Sequence, residues 1–486
     1  MTETCDLVLA GGQVVTPGGI VDGGVAIRDG RIAAVGGAAD LPPARRTIDL
    51  RGRVLLPGVI DPEGHLGGRR LLADDVTSET RAAAASGVTT WNLQLNSVNM
   101  TNPPGEIEGP EQIPSLGEAI PYLLAAEPLS TIDFCLTAIV STDRQVAEIP
   151  RLAEEYGVTS YKFHLEMGGP WNQQPGGRQT AYAFDDGTVY AACEAIAALG
   201  PPALVLFHCE NTQIARVFQQ RLEAQGRVDM GAWDDHSPWI TEAAHARAYL
   251  YFAELTGCPV YLVHCTTEQT VAEVRRARQA GVQVYAEIGI HYLVLHKDVW
   301  RINPPLRDRA THPALWRALA AGDIDCVGSD HISQVRWRHE METGNVWTTL
   351  SGFPSRVEAL LPMLLSEGVN AGRLTLERVA QVASEAPARI LGLYPRKGAI
   401  QVGADADLVV ADLEREATIS NDMLYTAKPW TVYEGRHVKG WPVMTLLRGE
   451  VVMEWPADAP RAQLVGPPRG RYLRRTLQRA ARPAGA

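Results

Sequence analysis

The order of apolar and polar residues divides the chain into zones. Residues 6–50 carry short alternating runs separated by Gly pairs and by an Asp-Gly turn, which is typical of β-hairpins. From Val54 to about Leu393, short apolar runs alternate with longer Ala-, Leu-, Glu- and Arg-rich stretches that favour helices. Beyond that point the short strand-like runs return and continue to Trp455. The middle zone therefore differs in architecture from both ends.

The middle zone predicts a closed barrel. Its eight strand candidates are VLLPGVID, TTWNLQL, DFCLTAIV, SYKFHLEM, ALVLFHCE, VYLVHCT, VYAEIGI and IDCVGSD. Strands that alternate with helices form a parallel sheet, and eight such units close into a (β/α)8 TIM barrel of the α/β class. The two chain ends are then expected to build one small composite β-sandwich domain beside the barrel.

The changes of pattern also predict domain boundaries. The predicted parts are the N-terminal half of the β-domain at 1–57, the barrel at 58–397, the C-terminal half of the β-domain at 398–455 and an extended tail at 456–486. The tail is rich in Pro, Ala and Arg, so we expect it to extend over a neighbouring subunit or to stay mobile.

The composition narrows the possible partners. The 486 residues are 45% hydrophobic and 21% charged, and no apolar run is long enough for a membrane span. The net charge of −11 disfavours nucleic acid and anionic membranes. Seven cysteines without paired spacing, and an N-terminus without signal-peptide character, indicate reduced thiols and a cytoplasmic location.

Groups that bind metals or protons follow the ends of several strand candidates. They are Glu63, His65, Lys162, His208, His264 and Asp330. Because the carboxyl ends of barrel strands meet around one mouth, we expect these six side chains to form one cluster. A single histidine of this kind is more often a hydrogen-bonded core residue, but the recurrence at successive strand ends favours a site. Imidazole and carboxylate ligands suit Zn, Mn, Co or Fe.

These residues lie in segments that resemble one family. The segments are LPGVIDPEGHL, GVTT, GVTSYKF, HCE, VHC, AEIGIHYLVL, NPPLR, GSDH, ARILGLYPRKGAIQVGADADLVVAD and GWPVMTLLRGEVV. On them the chain resembles the metal-dependent amidohydrolases, in the branch of dihydropyrimidinases, hydantoinases and allantoinases. The resemblance implies a TIM-barrel enzyme, assembled as a homotetramer, that hydrolyses an amide-type C–N bond of a small molecule.

The resemblance implies a role for most of the six residues. Lys162 is expected to be carbamylated by carbon dioxide and to bridge two metal ions. His208 and His264 are expected to hold one ion, and His65 and Asp330 the other. Asp330 is also the expected catalytic residue, which takes the proton of metal-activated hydroxide as it attacks the carbonyl. The metal is expected to be Zn, with Mn and Co as alternatives, at one or two ions per subunit.

The first motif departs from the family pattern. Two histidines normally stand there, whereas this chain has Glu63 in place of the first and keeps only His65. Three interpretations stay open: a binuclear site with Glu63 as a ligand, a mononuclear site on Lys162, His208 and His264, or a non-catalytic dihydropyrimidinase-like scaffold. Related thiocarbamate (molinate) and phenylurea hydrolases depart at the same histidine, which favours an acyclic carbamate, thiocarbamate or urea substrate.

Further residues are candidates for substrate contacts. They are His164, His291, Tyr292, Asn303, His331, Trp91, Trp171 and Trp337. The tryptophans are expected in loops after the strands, where they can wall an apolar pocket. In hydantoinase-like relatives a tyrosine follows the bridging lysine by five positions, but here that position is Met167. This loss disfavours the alternative activity, ring opening of a cyclic amide as in hydantoinases, dihydropyrimidinases and allantoinases.

Overall fold

The computed structural model of the chain describes residues 4–67, 70–95, 115–165 and 184–478. Most of the strands in these residues belong to two nine-stranded sheets. One sheet is parallel throughout and contains strands from the middle of the chain. The other is mainly antiparallel and contains strands from both ends.

The N-terminal strands begin the small sheet. They are β1 (Cys5–Thr16), β2 (Gly19–Arg28), β3 (Arg31–Gly36), β4 (Ala44–Asp49) and β5 (Val54–Pro57). The first three form consecutive antiparallel hairpins, as the sequence predicts. The turn between β2 and β3 contains Asp29 and Gly30, both at positive φ, which suits the right-handed twist of the flanking strands.

Eight parallel strands form the barrel. They are β6 (Val59–His65), β7 (Val88–Leu95), β8 (Asp133–Ile139), β9 (Ser160–His164), β10 (Leu204–His208), β11 (Val260–Leu262), β12 (Val284–Gly289) and an eighth strand made of β13 (Cys326–Gly328) and β14 (His331–Ile332). The first half of the eighth strand pairs with β12 and its second half pairs with β6. The eighth strand thus joins both edges of the sheet and closes the barrel.

The C-terminal strands complete the small sheet. They are β15 (Leu408–Thr418), β16 (His437–Leu447), β17 (Glu450–Glu454) and β18 (Gln463–Leu464). Strand β5 lies between β1 and β15 and so joins the two chain ends. Leu9, Ile27, Leu55, Val410 and Leu446 from both ends share one buried apolar cluster. The predicted barrel with a composite β-domain is confirmed.

The first predicted barrel strand is in fact two strands. Residues 54–57 pair in the small sheet, whereas 59–65 pair in the barrel. The prediction of one strand was wrong because the apolar run continues through Gly58 without a polar position. A Cβ atom at Gly58 would lie 2.2 Å from Thr89 Oγ1, so the junction has room only for glycine. The domain boundaries themselves stay a prediction.

Helices connect the barrel strands. The longer ones are Leu72–Ala85, Leu116–Ala125, Ile149–Tyr156, Asp186–Leu199, Thr212–Ala224, Trp239–Thr256, Glu268–Gln279, His312–Ala321 and Arg356–Met363. The shorter ones are Asp143–Val146, Ala232–His236, Ile290–Val294, Arg338–Met341, Leu376–Ala380 and Ala386–Ile390, with π-helical turns at Leu364–Asn370 and Gln381–Glu385. In the described part of the chain, no helix has the length and apolar character that a bilayer crossing requires.

The C-terminal tail crosses the amino end of its own barrel. Tyr472 forms an isolated parallel bridge with Phe134, and Leu473 is buried in an apolar cluster of the barrel. The guanidinium of Arg475 is buried and donates to Ser160 Oγ at 2.9 Å. The segment up to residue 478 therefore makes these contacts within its own chain, and its extension over a neighbouring subunit stays a prediction.

Candidate active site

The predicted site residues lie at the carboxyl ends of barrel strands. Lys162 lies on β9, and His65 and His208 are the last residues of β6 and β10. His264 and Asp330 lie two residues beyond the ends of β11 and β13, with φ of 37° and 45°. Non-glycine residues in this left-handed region carry backbone strain, which is common at functional sites.

Glu63, His65 and Asp330 form the tightest group. One ligand atom of each lies within 4.8 Å of the others. His65 Nε2 is 3.7 Å from Glu63 Oε1 and 3.5 Å from Asp330 Oδ1. Glu63 Oε2 is buried and has no hydrogen-bond partner among the described residues. A buried carboxylate oxygen without a partner is costly, so the group fits a divalent cation held between these side chains.

Lys162 is buried next to this group. Its side chain is 1% exposed, and Nζ donates a hydrogen bond to Glu63 Oε1. Burial raises the pKa of Glu63, but the adjacent ammonium lowers it below the ordinary value. As an ammonium, Lys162 is thus the counter-charge of Glu63. A carbamylated lysine carries a negative charge, so it would repel Glu63 unless cations lay between them.

Imidazole rings continue the cluster. The ring of His164 lies 5.9 Å from that of His65 and 5.5 Å from that of His208, between centroids. The rings of His208 and His264 are 4.3 Å apart in an edge-to-face arrangement. Burial, together with the neighbouring His208, lowers the pKa of His264 to about 3. His264 is therefore neutral at pH 7, the form in which imidazole binds a metal.

Asp330 is held in place by Arg356. Nη1 of Arg356 donates to Asp330 Oδ2 at 2.7 Å. Although burial raises the pKa of Asp330, the guanidinium and the neighbouring His65 hold it well below the usual range. Asp330 is therefore a carboxylate at neutral pH, as both a metal ligand and a general base require.

Two further contacts fix the segment that carries Asp330. Ser329 donates from its main-chain N, at 2.9 Å, and from its hydroxyl to the carboxylate of Asp61, which ties the eighth strand to β6. Burial raises the pKa of Asp61 to about 7. His331 is fully buried, and its Nε2 lies 2.7 Å from Glu79 Oε2. The side chain of His331 therefore faces a helix carboxylate.

The other substrate-contact candidates divide into buried and exposed residues. His291 and Tyr292 are fully buried, and the Tyr292 hydroxyl donates to Pro304 O at 2.8 Å. Asn303 is exposed. Trp337 is 39% exposed, with Lys428 Nζ 5.0 Å from the centre of its ring.

Trp91 differs from its prediction. It lies within β7 and is fully buried, with its ring 5.7 Å from that of His331, so the expectation of a loop position was wrong. A Cβ atom at Gly64 would lie 2.0 Å from Trp91 Nε1, so the ring packs against bare backbone of β6. Trp171 and Met167 lie outside the described residues.

Sequence reasoning missed residues whose importance depends on tertiary contacts. Glu287 lies on β12, and both of its buried carboxylate oxygens lack a hydrogen-bond partner among the described residues. A carboxylate inside the apolar run VYAEIGI was the signal that could have found it. Burial, together with the nearby Glu63, raises the pKa of Glu287 well above its usual value. Arg356 and Glu79 gave no comparable signal, because charged residues are ordinary in helical stretches.

Comparisons with known proteins find similar sequences and a similar structure. The amidohydrolase family model matches residues 207–452. A D-hydantoinase of Ralstonia pickettii is 32% identical and covers 97% of this chain and 99% of its own. An allantoinase of Rubrobacter xylanophilus is 33% identical, over 98% of this chain and 99% of its own. A D-hydantoinase crystal structure superimposes with a TM-score of 0.82 at 32% identity, covering 96% of this chain and 98% of its own.

Proposed function

Because the chain belongs to the amidohydrolase family, in the branch of hydantoinases, dihydropyrimidinases and allantoinases, we propose that it opens a cyclic amide by hydrolysis. That it is a hydrolase acting on amide bonds follows from the family. The observation that carries the ring-opening proposal is similarity to a D-hydantoinase over 97% of the chain. This similarity supports ring opening better than the acyclic substrates that the sequence alone favours.

We assign metal binding to the cluster at the barrel mouth. The proposed ligands are Glu63, His65, Lys162, His208, His264 and Asp330. The unpartnered oxygen of Glu63 and the neutral ring of His264 support this assignment. Zn is the first choice, and Mn and Co accept the same ligands. When bound, a divalent cation polarises the scissile carbonyl and lowers the pKa of the attacking water.

Asp330 is the proposed proton carrier. Its Oδ2 accepts the hydrogen bond from Arg356, which leaves Oδ1 on the side of His65 at 3.5 Å. Oδ1 takes the proton of the attacking water and delivers it to the ring nitrogen as the C–N bond breaks. The product keeps the carbonyl carbon as a carboxylate and the nitrogen as a neutral N–H group.

The state of Lys162 decides how many ions the cluster holds. As a free ammonium it neutralises Glu63, and the remaining charge suits one cation. As a carbamate it adds a negative charge beside Glu63, which needs a second cation. The homotetramer is a proposal from the family. The cytoplasmic location is a proposal supported by the cysteines, which are all buried.

Acyclic carbamates, thiocarbamates and ureas are the second candidate substrates. The presence of Glu63 where the family has histidine favours them, because it changes the charge next to the reacting carbonyl. Met167, where hydantoinase-like relatives have tyrosine, points the same way. The scaffold alternative has less support, since the relatives reported above are enzymes by name.

The test is a substrate panel run on protein of known metal content. Hydantoin, dihydrouracil and allantoin are compared with phenylurea and an N-alkyl thiocarbamate, for wild type and for Glu63→His. We expect wild type to open at least one ring and to lose that activity on chelation. Hydrolysis of only the acyclic compounds would favour the second candidate. Metal-loaded protein that hydrolyses none of them would overturn both. One ion per chain in wild type, rising to two in Glu63→His, would identify a mononuclear enzyme.

A further inference from the structure

Arg356 is a buried guanidinium that uses only part of its hydrogen-bonding capacity. It is the first residue of its helix and is 4% exposed. Among the described residues, its one hydrogen bond runs from Nη1 to Asp330 Oδ2, and its Nε is buried without a partner. A guanidinium pairs with planar anions along two edges, one of which is formed by Nε and Nη2. That edge is open.

Two neighbouring side chains share this property. Neither ring nitrogen of the fully buried His291 has a hydrogen-bond partner within the described part of the chain, and the same holds for the buried hydroxyl of Tyr433. Phe353 lies among them: its ring centroid is 6.4 Å from that of His291 and 6.1 Å from that of Tyr433. The Cζ atom of Arg356 is 5.5 Å from the same ring. We call His291, Arg356 and Tyr433 around Phe353 the Phe353 cluster.

The Phe353 cluster has more donors than acceptors. Arg356 donates from Nε and Nη2, a neutral imidazole donates from one nitrogen, and the Tyr433 phenol donates its O–H. A buried donor that stays unpaired is costly, and more so when it belongs to a charged group. Groups of this kind, gathered at one place, are typical of a site completed by a ligand. The excess of donors selects an anion, and a carboxylate matches the geometry of the free guanidinium edge.

The position of the cluster relates it to the reaction. Arg356 touches the carboxylate that we assign to proton transfer, so a ligand paired with its Nε and Nη2 would be held by the same guanidinium as Asp330. The other oxygen of Asp330 faces His65, which also lies near Glu63. This is the side on which we propose that a metal binds. The site is therefore polarised, with its carboxylates on one side and its unpaired donors on the other.

We propose that the Phe353 cluster binds a negatively charged substituent of the substrate, a carboxylate, so that the enzyme acts on acidic cyclic amides. The inference rests on the proposed ring-opening function and names the substrate class within it. Arg356 is then the residue that determines specificity, and His291 and Tyr433 contribute further donors.

The test compares two substrates that differ in charge and hardly in shape, 5-(carboxymethyl)hydantoin and its neutral amide. Wild type is expected to prefer the acid. Arg356→Met is expected to lower kcat/KM for the acid relative to the amide by about 10- to 100-fold, mainly through KM, as loss of a charge-assisted hydrogen bond implies. If the substitution also disturbs Asp330, kcat/KM falls for both substrates equally, so the ratio of the two kcat/KM values is unaffected. Arg356→Lys should keep part of the preference for the acid that Arg356→Met loses. Tyr433→Phe should also lower the preference for the acid, but by less than Arg356→Met.

Arg278→Met is the control. Its guanidinium bonds to Asp325 Oδ2 at 2.6 Å and to Asp323 O at 3.1 Å and makes no contact with His291, Arg356 or Tyr433, so the ratio should stay at the wild-type value. Equal losses for acid and amide in Arg356→Met would show that Arg356 serves only Asp330. That result would overturn the inference and leave ring opening standing.

Failure of the proposed function is recognised separately. If wild type opens neither hydantoin, calorimetric titration with N-carbamoyl-aspartate and N-carbamoyl-asparagine tests the subsite without turnover. Tighter binding of the aspartate compound, lost by about tenfold or more in Arg356→Met, would support the carboxylate subsite. Equal binding of both compounds would overturn it.

Discussion

The barrel holds a buried lysine among carboxylates at each of its ends. The mouth cluster comprises Glu63, His65, Lys162 and Asp330, and the base cluster comprises Asp133, Lys397, Asp405 and Asp407. In both, three side chains bring a ligand atom each within 4.8 Å of one another, which is close enough for a metal ion. The two clusters nevertheless differ in how their charges are satisfied.

In the base cluster the lysine takes the central place. Lys397 Nζ lies 2.6 Å from Asp133 Oδ2 and 3.2 Å from Asp405 Oδ2, and it also bonds to Asp407. Arg448 pairs with Asp133 from the other side. In the described residues no carboxylate oxygen of this cluster is both buried and unpartnered, whereas Glu63 Oε2 at the mouth is. Proximity of acidic groups does not distinguish the two clusters, whereas the unsatisfied oxygen of Glu63 does.

The largest expected effect comes from Asp330→Asn at the mouth. The amide keeps the shape of the side chain but cannot take up the proton, so kcat should fall by about 10²- to 10⁴-fold. Steady-state kinetics on the folded variant check this, at a temperature well below its thermal melt. The melting temperature should also fall, because the buried Arg356 loses its charged partner. A kcat near the wild-type value would contradict a catalytic assignment.

Lys397→Met is expected to lower the stability of the protein and to leave its catalytic activity nearly unchanged. It leaves three buried carboxylates without their shared cation, which costs about 3–5 kcal/mol in the free energy of unfolding. The kcat/KM of the folded variant should stay near the wild-type value. Denaturant unfolding measures the first quantity and kinetics the second. Arg396→Met is the control, since Arg396 reaches Asp405 from a half-exposed position and should cost about 1 kcal/mol or less.

Glu63→Gln and Asp405→Asn make the same chemical change in the two clusters. At the mouth the loss of a carboxylate ligand should weaken metal binding by about 10- to 100-fold, as changes around metal sites commonly do. At the base the metal content should not change. Metal analysis after dialysis against a graded chelator series distinguishes them, and a lower metal content in Asp405→Asn would mean that the base also binds an ion.

The smallest effect concerns the acid sensitivity of the base cluster. Burial raises the pKa of Asp405, but Lys397 and Arg396 lower it below the ordinary 3.8. A depressed pKa contributes stability above the unfolded pKa, and this is lost as the pH falls through the folded value. The gap in melting temperature between wild type and Asp405→Asn should therefore narrow below about pH 4. A gap that stays constant down to about pH 2 would assign the effect to packing.

The sequence predicts the elements of this molecule better than the contacts between them. The strand ends that carry Lys162, His208 and His264 were recognisable because parallel strands place their carboxyl ends together. The junction at Gly58 was not recognisable, because the apolar run is continuous where the chain passes from the small sheet to the barrel. Trp91 was expected both in the strand candidate TTWNLQL and among the loop tryptophans, because a large aromatic side chain suits a loop and a buried strand alike. The structure places it in the strand.

The charged partners of the site were the least predictable part. Arg356 meets Asp330 and Glu79 meets His331 only through the fold, and neither residue departs from the composition of its helix. Glu287 was visible as a carboxylate in an apolar strand, but its relation to Gly328 and to the mouth cluster depends on barrel closure. Local pattern predicts which residues can take part in chemistry, whereas tertiary packing decides how they are charged.

The split eighth strand also constrains how the chain acquires its site. Ser329 and Asp61 bond across 268 residues of sequence, and the strand that carries Asp330 is the one that pairs with β6. During synthesis, β6 is the first barrel strand to be made, and one of its edges stays unpaired until β14, the second half of the eighth strand, has been synthesised. A metal that binds earlier meets an incomplete set of ligands. If the proposed ligands hold a metal, its loading is then coupled to closure of the fold, which depends on this long-range pairing.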